Sequence, residues 1–271
     1  MIPSAGRMIF SFLFLVTFHV HTAQSDNTAL GIEIIRAHFQ GAGLVPSLLA
    51  NFTPSALLTA TYGGVGIVTP GQLLSKSQTQ TAPNLTITPA NITTLLNGKY
   101  TVVMVDAWAP GYNDPRGQIC HWVVNGVTIQ DHSVSTRGSV EVEQYRGPTP
   151  PSGSGAHRYV ILLYAQQFPT VPPPQGFPIQ SNDPGFCRLA DYVKVSNIGP
   201  LIAGTYFTVE EGTATFTPSP TSPVVTSTLL ASGSSDPSKS ASTDVQHNGA
   251  FSSSSNYLTI FLAPFLWLVA L

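Results

Sequence analysis

An all-β core carrying a few short peripheral helices is the fold class this sequence predicts, and three observations predict it. Apolar runs of strand length, Tyr100–Asp106, Cys120–Val124 and His157–Gln166, are bounded by loops rich in Pro and Gly. Leu57–Tyr62 and Asn84–Thr88 alternate apolar and polar residues with the two-residue period of a half-buried strand. Helical spacing is confined to short stretches around Ile32 and Leu189.

A hydrophobic content of 42% in 271 residues is enough for a sizeable core, and length alone permits one or two domains. Charged residues make up only 9% and the net charge is −2. Nucleic-acid binding and electrostatic attachment to an anionic membrane both demand clustered Lys and Arg, so neither is expected.

Taken in order, the chain opens on Arg7 and the apolar Met8–Phe18, with small residues at Ala23 and Ser25. This is the layout of a secretory signal peptide over 1–25, its apolar core being short for a membrane span. The mature domain is expected over 26–212. Three acceptor sequons for N-glycans, at Asn51, Asn84 and Asn91, fit secretion.

From Gly31, the residues Ile32, Ile35 and His38-Phe39 recur as one face of a short amphipathic helix, stopped by Gly41 and Gly43. Leu57–Tyr62 is a strand, Gly63-Gly64 turns the chain, Gly66–Thr69 is a second short strand, and Asn84–Thr88 is a third. Tyr100, Val102, Met104 and Asp106 share one face of the next strand, with Asp106 at its end. Read alone, Asp106 is better taken as a cap for the turn over 111–116, and only its partnership with His121 and His157 favours a functional role. In the following strand His121 and Val123 point one way, and Cys120, Trp122 and Val124 the other.

The loop Tyr145–Ala156 is stiffened by Pro148, Pro150 and Pro151, which fix φ and remove amide donors, while Gly153 and Gly155 permit sharp turns. It delivers His157 to the mouth of a core strand in which His157, Tyr159, Ile161 and Leu163 share a face. Arg158 points oppositely, toward a structural ion pair or backbone contacts. After the extended Phe168–Pro174, Asp183-Pro184 reads as the start of a helix that presents Phe186, Leu189, Ala190 and Val193. Leu201–Glu210 reads as the closing strand. The two cysteines, Cys120 and Cys187, are a disulfide candidate in a secreted chain, with two free thiols as the alternative.

From Thr213 the composition shifts to Thr, Ser, Pro and Ala, which cannot build a core and predicts a disordered, O-glycosylated stalk over 213–248. Small residues, a Ser-rich spacer and the terminal apolar Tyr257–Leu271 then form a glycosylphosphatidylinositol attachment signal, with Asn248 as attachment site and 249–271 as propeptide. A C-terminal transmembrane anchor is the runner-up. The expected location is therefore the cell surface, tethered to the outer membrane leaflet or the cell wall.

Several motifs occur together in order and spacing: Asp106 with Ala109-Pro110, Asp114-Pro115, His121-Trp122-Val123-Val124, Gly147-Pro148, Pro150-Pro151, and Gly155-Ala156-His157-Arg158-Tyr159 before an apolar strand. They resemble the phosphatidylethanolamine-binding protein family, here in a secreted, anchored form of fungal type, over roughly Gly31–Glu211. The resemblance implies a large antiparallel sheet with a smaller sheet and short helices. It also implies a ligand pocket built from Asp106, Ala109, Pro110, His121, Gly147, Pro150, Pro151 and His157, supported by Tyr159, with no metal and no cofactor. Such a pocket suits a phosphate group or phospholipid headgroup, with imidazoles donating to oxygens and Asp106 orienting a histidine or accepting from an ammonium. Binding is expected to be tighter near pH 6 than near pH 8.

Two departures stand out against the family pattern. Trp108 occupies a place where a second Asp is usual, and the segment after Glu211 is too poor in apolar residues for a bordering C-terminal helix, so an open mouth is expected. Ser154 lies between glycines close to His157, yet the strand-turn-helix elbow of Gly-x-Ser-x-Gly hydrolases is absent, so catalysis is not expected. The remaining readings are inhibition of a serine protease or carboxypeptidase through the surface, and a surface glycoprotein with an inherited pocket.

Overall fold

The structure is a computed structural model describing residues 27–91, 97–168, 171–172 and 185–226. The expected signal peptide, the Asp183-Pro184 helix start, Asn248 and the anchor tail lie outside the described residues. The expected architecture is found, a larger and a smaller sheet joined through one long strand. That strand is β6, Gln118–Gln130. Its first part belongs to the larger sheet, pairing with β5 (Tyr100–Asp106), β8 (Val140–Glu143) and β10 (Phe186–Cys187). Its last residues pair with β7 (Ser133–Ser135) in the smaller sheet, which continues through β4 (Asn84–Pro89) to β1 (Ala56–Tyr62) and β2 (Gly66–Ile67). On the other side of β5 lie β9 (His157–Gln166) and β11 (Ile198–Val209), and β3 (Leu73–Leu74) adds in parallel at the far edge.

The central strands are buried on both faces, which explains their nearly continuous apolar runs. Val102, Met104, Ile161, Leu163 and Phe207 pack against Leu58, Ala60 and Ile87 of the smaller sheet. Val103, Val105, Val160 and Leu162 pack on the opposite face, with Ile35 and Phe39 of helix α1 (residues 27–41) and Leu189 and Tyr192 of helix α3 (Leu189–Val195). Phe39 stacks on Phe52 at 3.9 Å between ring centroids. Between α1 and β1 the chain makes a single helical turn, α2 (Leu44–Ser47), entered through Gly43 at φ 65°.

Three local expectations are corrected. Phe186 and Cys187 form the short strand β10 against Ile119 and Gln118, not a first helical turn, and helix α3 begins only at Leu189. The cause is the disulfide between Cys120 and Cys187, which ties this segment to β6. In β6, Trp122 pairs with Met104 but Cys120 pairs with Val105, so His121 is an extra, bulged residue. The bulge sends Cys120 and Val123 to the helix-covered face together, against the alternation expected, while His121 turns to Tyr159 on the other.

The third correction concerns the segment after Glu211. Residues 213–226 run along the domain surface without regular secondary structure and are held by backbone bonds: Thr215 N donates to Gly153 O, Ser219 N to Pro110 O and Ser222 N to Gly41 O. Composition predicts no core here, and there is none. Pairing through the backbone needs no apolar side chains, so a Ser/Thr/Pro segment can still be strapped down.

Candidate functional site

The site is assembled where β5 and β9 end side by side. Asp106 and Tyr159 are direct partners in that ladder, so Asp106 is carried to the side of the histidine that opens β9. His157 Nδ1 and Asp106 Oδ2 are 2.7 Å apart, and both groups are almost fully buried. The second carboxylate oxygen accepts the Trp108 amide at 2.7 Å. Asp106 thus orients the histidine with one oxygen and holds the Trp108 amide with the other, while the turn over 111–116 that it was expected to cap has its Arg116 amide accepted by Asp114 instead.

Trp108 sits at φ 60°, which is unusual for a bulky residue and costs about 1–3 kcal/mol unless the surroundings hold it. They do so at four points. Besides the amide bond to Asp106, its carbonyl accepts from Arg158 N and Nε, and its indole Nε1 donates to Gly117 O at 3.0 Å. The ring then stands edge-on to His157 at 5.7 Å and to Tyr112 at 5.3 Å. The loop beyond it is folded by Arg116, which donates to both oxygens of Asp114 and holds that carboxyl down to about 2, while its guanidinium lies 3.8 Å over the Phe186 ring.

Arg158, on the opposite face of β9 as expected, donates to the carbonyls of Ala42, Ala107 and Trp108. Of the two roles open to it, backbone contact is the one realised.

His121 is 1% exposed and packs edge-on to Tyr159 at 5.2 Å. Its Nδ1 donates to Arg146 O at 2.9 Å, while Arg146 N donates back to His121 O. Burial pulls its pKa below the ordinary value, opposed by the charge of Asp106 and by the backbone of Arg146 and Gly147. Tyr159 lies between the histidines, His157 on its other side at 6.5 Å. Its hydroxyl is fully buried beside Asp106 and the Thr149 backbone, yet makes no well-formed hydrogen bond among the described residues. Burial, and then the Asp106 charge, push its pKa upward.

The structure therefore brings Asp106, His121, His157, Tyr159 and the Gly147 backbone into one cluster. Pro150 and Ala109 are buried, and Pro151 lines the mouth. Pro110 instead faces the strap and accepts Ser219 N. Outside the cluster lies a cavity of about 330 Å³ lined by Trp108, Tyr112, Pro151, Ser154, His157 and Phe216, with Thr215 beside Phe216. The expected open mouth is corrected: the strap roofs it, because residues after Gly212 hydrogen-bond to the loop that carries Ser154. Phe216 and Tyr112 were not legible as site residues, since neither lies in a motif. Ser154 was, by its position three residues before His157. Among the described residues no three His, Cys, Asp or Glu side chains converge to hold a metal.

Comparison with known proteins agrees with the fold. The carboxypeptidase Y inhibitor of Saccharomyces cerevisiae is 30% identical over 142 residues, covering 43% of this chain and 65% of its own. The 26 kDa secreted antigen of Toxocara canis is 28% identical over 172 residues, 62% of this chain, and the chain spans 62% of that antigen's length. Among solved structures, carboxypeptidase Y inhibitor in complex with its cognate proteinase superposes with a TM-score of 0.53 at 25% identity, covering 64% of this chain and 93% of that one. Residues 51–207, more than half of the sequence, match the profile described as Phosphatidylethanolamine-binding protein, and the chain belongs to that family.

Proposed function

We propose that this protein is a secreted, surface-tethered binding protein whose Asp106–His157–Tyr159–His121 cluster takes a small phosphate-bearing ligand, free or as a phospholipid headgroup. The observation that carries this reading is the buried Tyr159 hydroxyl without a well-formed partner, flanked by two imidazoles. An oxyanion there would accept from the phenol and from the imidazole Nε2 positions, replacing at His157 the Ser154 Oγ that lies 2.8 Å from its Nε2. No turnover is required by it. The supporting organisation is a signal peptide over 1–25, a stalk beginning beyond the strap, and a lipid anchor at Asn248. Asn51, Asn84 and Asn91 are exposed and serve as glycan acceptors in this reading.

The sign of the pH dependence follows from the tautomers. Each Nδ1 is committed, to Arg146 O in His121 and to Asp106 in His157. A neutral ring therefore has a lone pair at Nε2, and donation to an anion from Nε2 requires proton uptake. Burial resists that uptake in His121 until an anion compensates it, so binding draws protons in and strengthens as pH falls.

Titration calorimetry of the secreted protein with phosphoethanolamine and with inorganic phosphate tests this. Binding is expected at pH 6, weaker at pH 8, and at least tenfold weaker in the His121→Asn, His157→Asn double variant, with its melting curve confirming a folded state. A wild-type protein that binds neither compound contradicts the reading. A second reading, inhibition of a serine carboxypeptidase through the surface, is supported by the similarity to carboxypeptidase Y inhibitor. It would stand if anion binding were absent and a carboxypeptidase were inhibited.

A further inference from the structure

We infer that Ser154 is an activated nucleophile, the serine of a Ser154–His157–Asp106 relay that accepts acyl groups from small carboxylic esters. The inference goes beyond anion binding and does not depend on it. Ser154 Oγ lies 2.8 Å from His157 Nε2, and His157 Nδ1 lies 2.7 Å from Asp106 Oδ2, so the imidazole bridges hydroxyl and carboxylate through its two different nitrogens. This is the connectivity by which a serine is deprotonated, and it is recognised by geometry, not by the order of residues in the chain. As in such relays, the carboxylate is buried and steadied by a backbone amide, here that of Trp108.

The hydrogen-bond inventory narrows the states available. Ser154 Oγ is also 2.6 Å from Pro151 O, and a hydroxyl has one proton. With His157 charged, Nε2–H donates to Oγ and the hydroxyl donates to Pro151. With His157 neutral and Nδ1–H held by Asp106, Nε2 is an acceptor and can take the serine proton. The second state is the reactive one. The titratable groups facing His157 are Asp106 from β5, Tyr159 with His121 behind it, and Tyr112 across the shared cavity, while Arg158 is turned to the other face of β9.

The loop is built to hold the serine still and accessible. Gly153 and Gly155 adopt φ 79° and 76° on either side of it, a double turn that a Cβ would strain. That turn is clamped from both directions, Gly153 N donating to Glu211 O just before the strap and Thr215 N of the strap donating to Gly153 O. Ser154 itself is half-buried and opens on the 330 Å³ cavity. Beyond His157, the cavity walls are aromatic or uncharged, Trp108, Tyr112 and Phe216 foremost, which suits a small ester with an apolar or aromatic group.

The chemistry balances with water as the only co-substrate. Oγ bonds to the ester carbonyl carbon as its proton passes to Nε2. The carbonyl carbon–alkoxide bond breaks and the alcohol leaves with that proton. Water then attacks acyl-Ser154, giving its proton to Nε2, and the carboxylic acid is released as the serine is re-protonated.

The test is labelling of the full secreted protein with a fluorophosphonate, with the adduct located by peptide mass spectrometry, beside hydrolysis of p-nitrophenyl acetate. The expected result is an adduct on Ser154, formed at least 100-fold faster than in the urea-denatured chain and faster at pH 8 than at pH 6, the reverse of the trend for anion binding. Ser154→Ala should lose both the adduct and ester hydrolysis, while Ser152→Ala, at the exposed neighbour, should keep both. Asp106→Asn should slow labelling at least tenfold, and if that variant fails to fold, the pH profile and the denatured chain still decide. No adduct on Ser154, a rate equal to that of the denatured chain, or ester hydrolysis that survives Ser154→Ala would overturn the inference.

Discussion

Replacing Arg158 with methionine is expected to lower the melting temperature by roughly 10 °C. The guanidinium donates to Ala42 O at 2.6 Å, Ala107 O at 2.7 Å and Trp108 O at 3.0 Å, and the residue is 5% exposed. Methionine preserves the apolar stem but leaves three carbonyls without these donors. Hydrogen bonds to a charged group contribute about 1.5–3 kcal/mol each, so a loss on the order of 4 kcal/mol is a modest sum for three. That is a large share of the 5–15 kcal/mol typical of a domain. The same loss should loosen the hold on Trp108 in its left-handed conformation, because its carbonyl loses Arg158 Nε and keeps only the bond from the Arg158 backbone N. Thermal melting by circular dichroism checks the first effect and tryptophan fluorescence the second. A melting temperature within 2 °C of wild type would show that the three bonds hold little.

Removing the disulfide is expected to cost about as much. The bridge closes a loop over a sequence separation of 67 residues, for which chain entropy gives roughly 4 kcal/mol. Both cysteines are buried, so the Cys120→Ala, Cys187→Ala pair tests the crosslink without burying a polar group. The damage should centre on β10, whose Phe186 packs on Trp108 and carries the Arg116 guanidinium. A matching drop in melting temperature when wild type is measured with reductant would confirm the cause. Two thiols reacting with a maleimide in the denatured, unreduced protein would contradict it.

Much of the site was legible in the sequence because strand alternation governs it. Tyr159, Ile161 and Leu163 fall on one face of β9 with His157, and Asp106 ends β5 on the matching side, as the two-residue period requires. His121 shows where that logic stops. A bulge inserts one residue without altering composition or spacing, so the side chain keeps its pocket orientation while Val123 changes face. The start of the third helix failed for a different reason. Phe186 carries helical spacing with Leu189, Ala190 and Val193, but a crosslink at Cys187 and two ladder partners outweigh local propensity. The strap was hidden because its bonds are backbone bonds, to which side-chain composition is blind. The Ser154 contact depends on two positive-φ glycines closing a turn, which a motif search for a strand-turn-helix elbow does not register.

In the proposed function the buried histidine cluster is the place where an anion is held. The measurement that addresses this most directly is histidine side-chain NMR of the ¹⁵N-labelled secreted protein during titration with inorganic phosphate at pH 6. The expected result is a saturable shift of the His121 and His157 Nε2 signals with one common affinity, the exposed His132 staying put. Shifts confined to other residues, or none at all, would place the ligand elsewhere and contradict the claim.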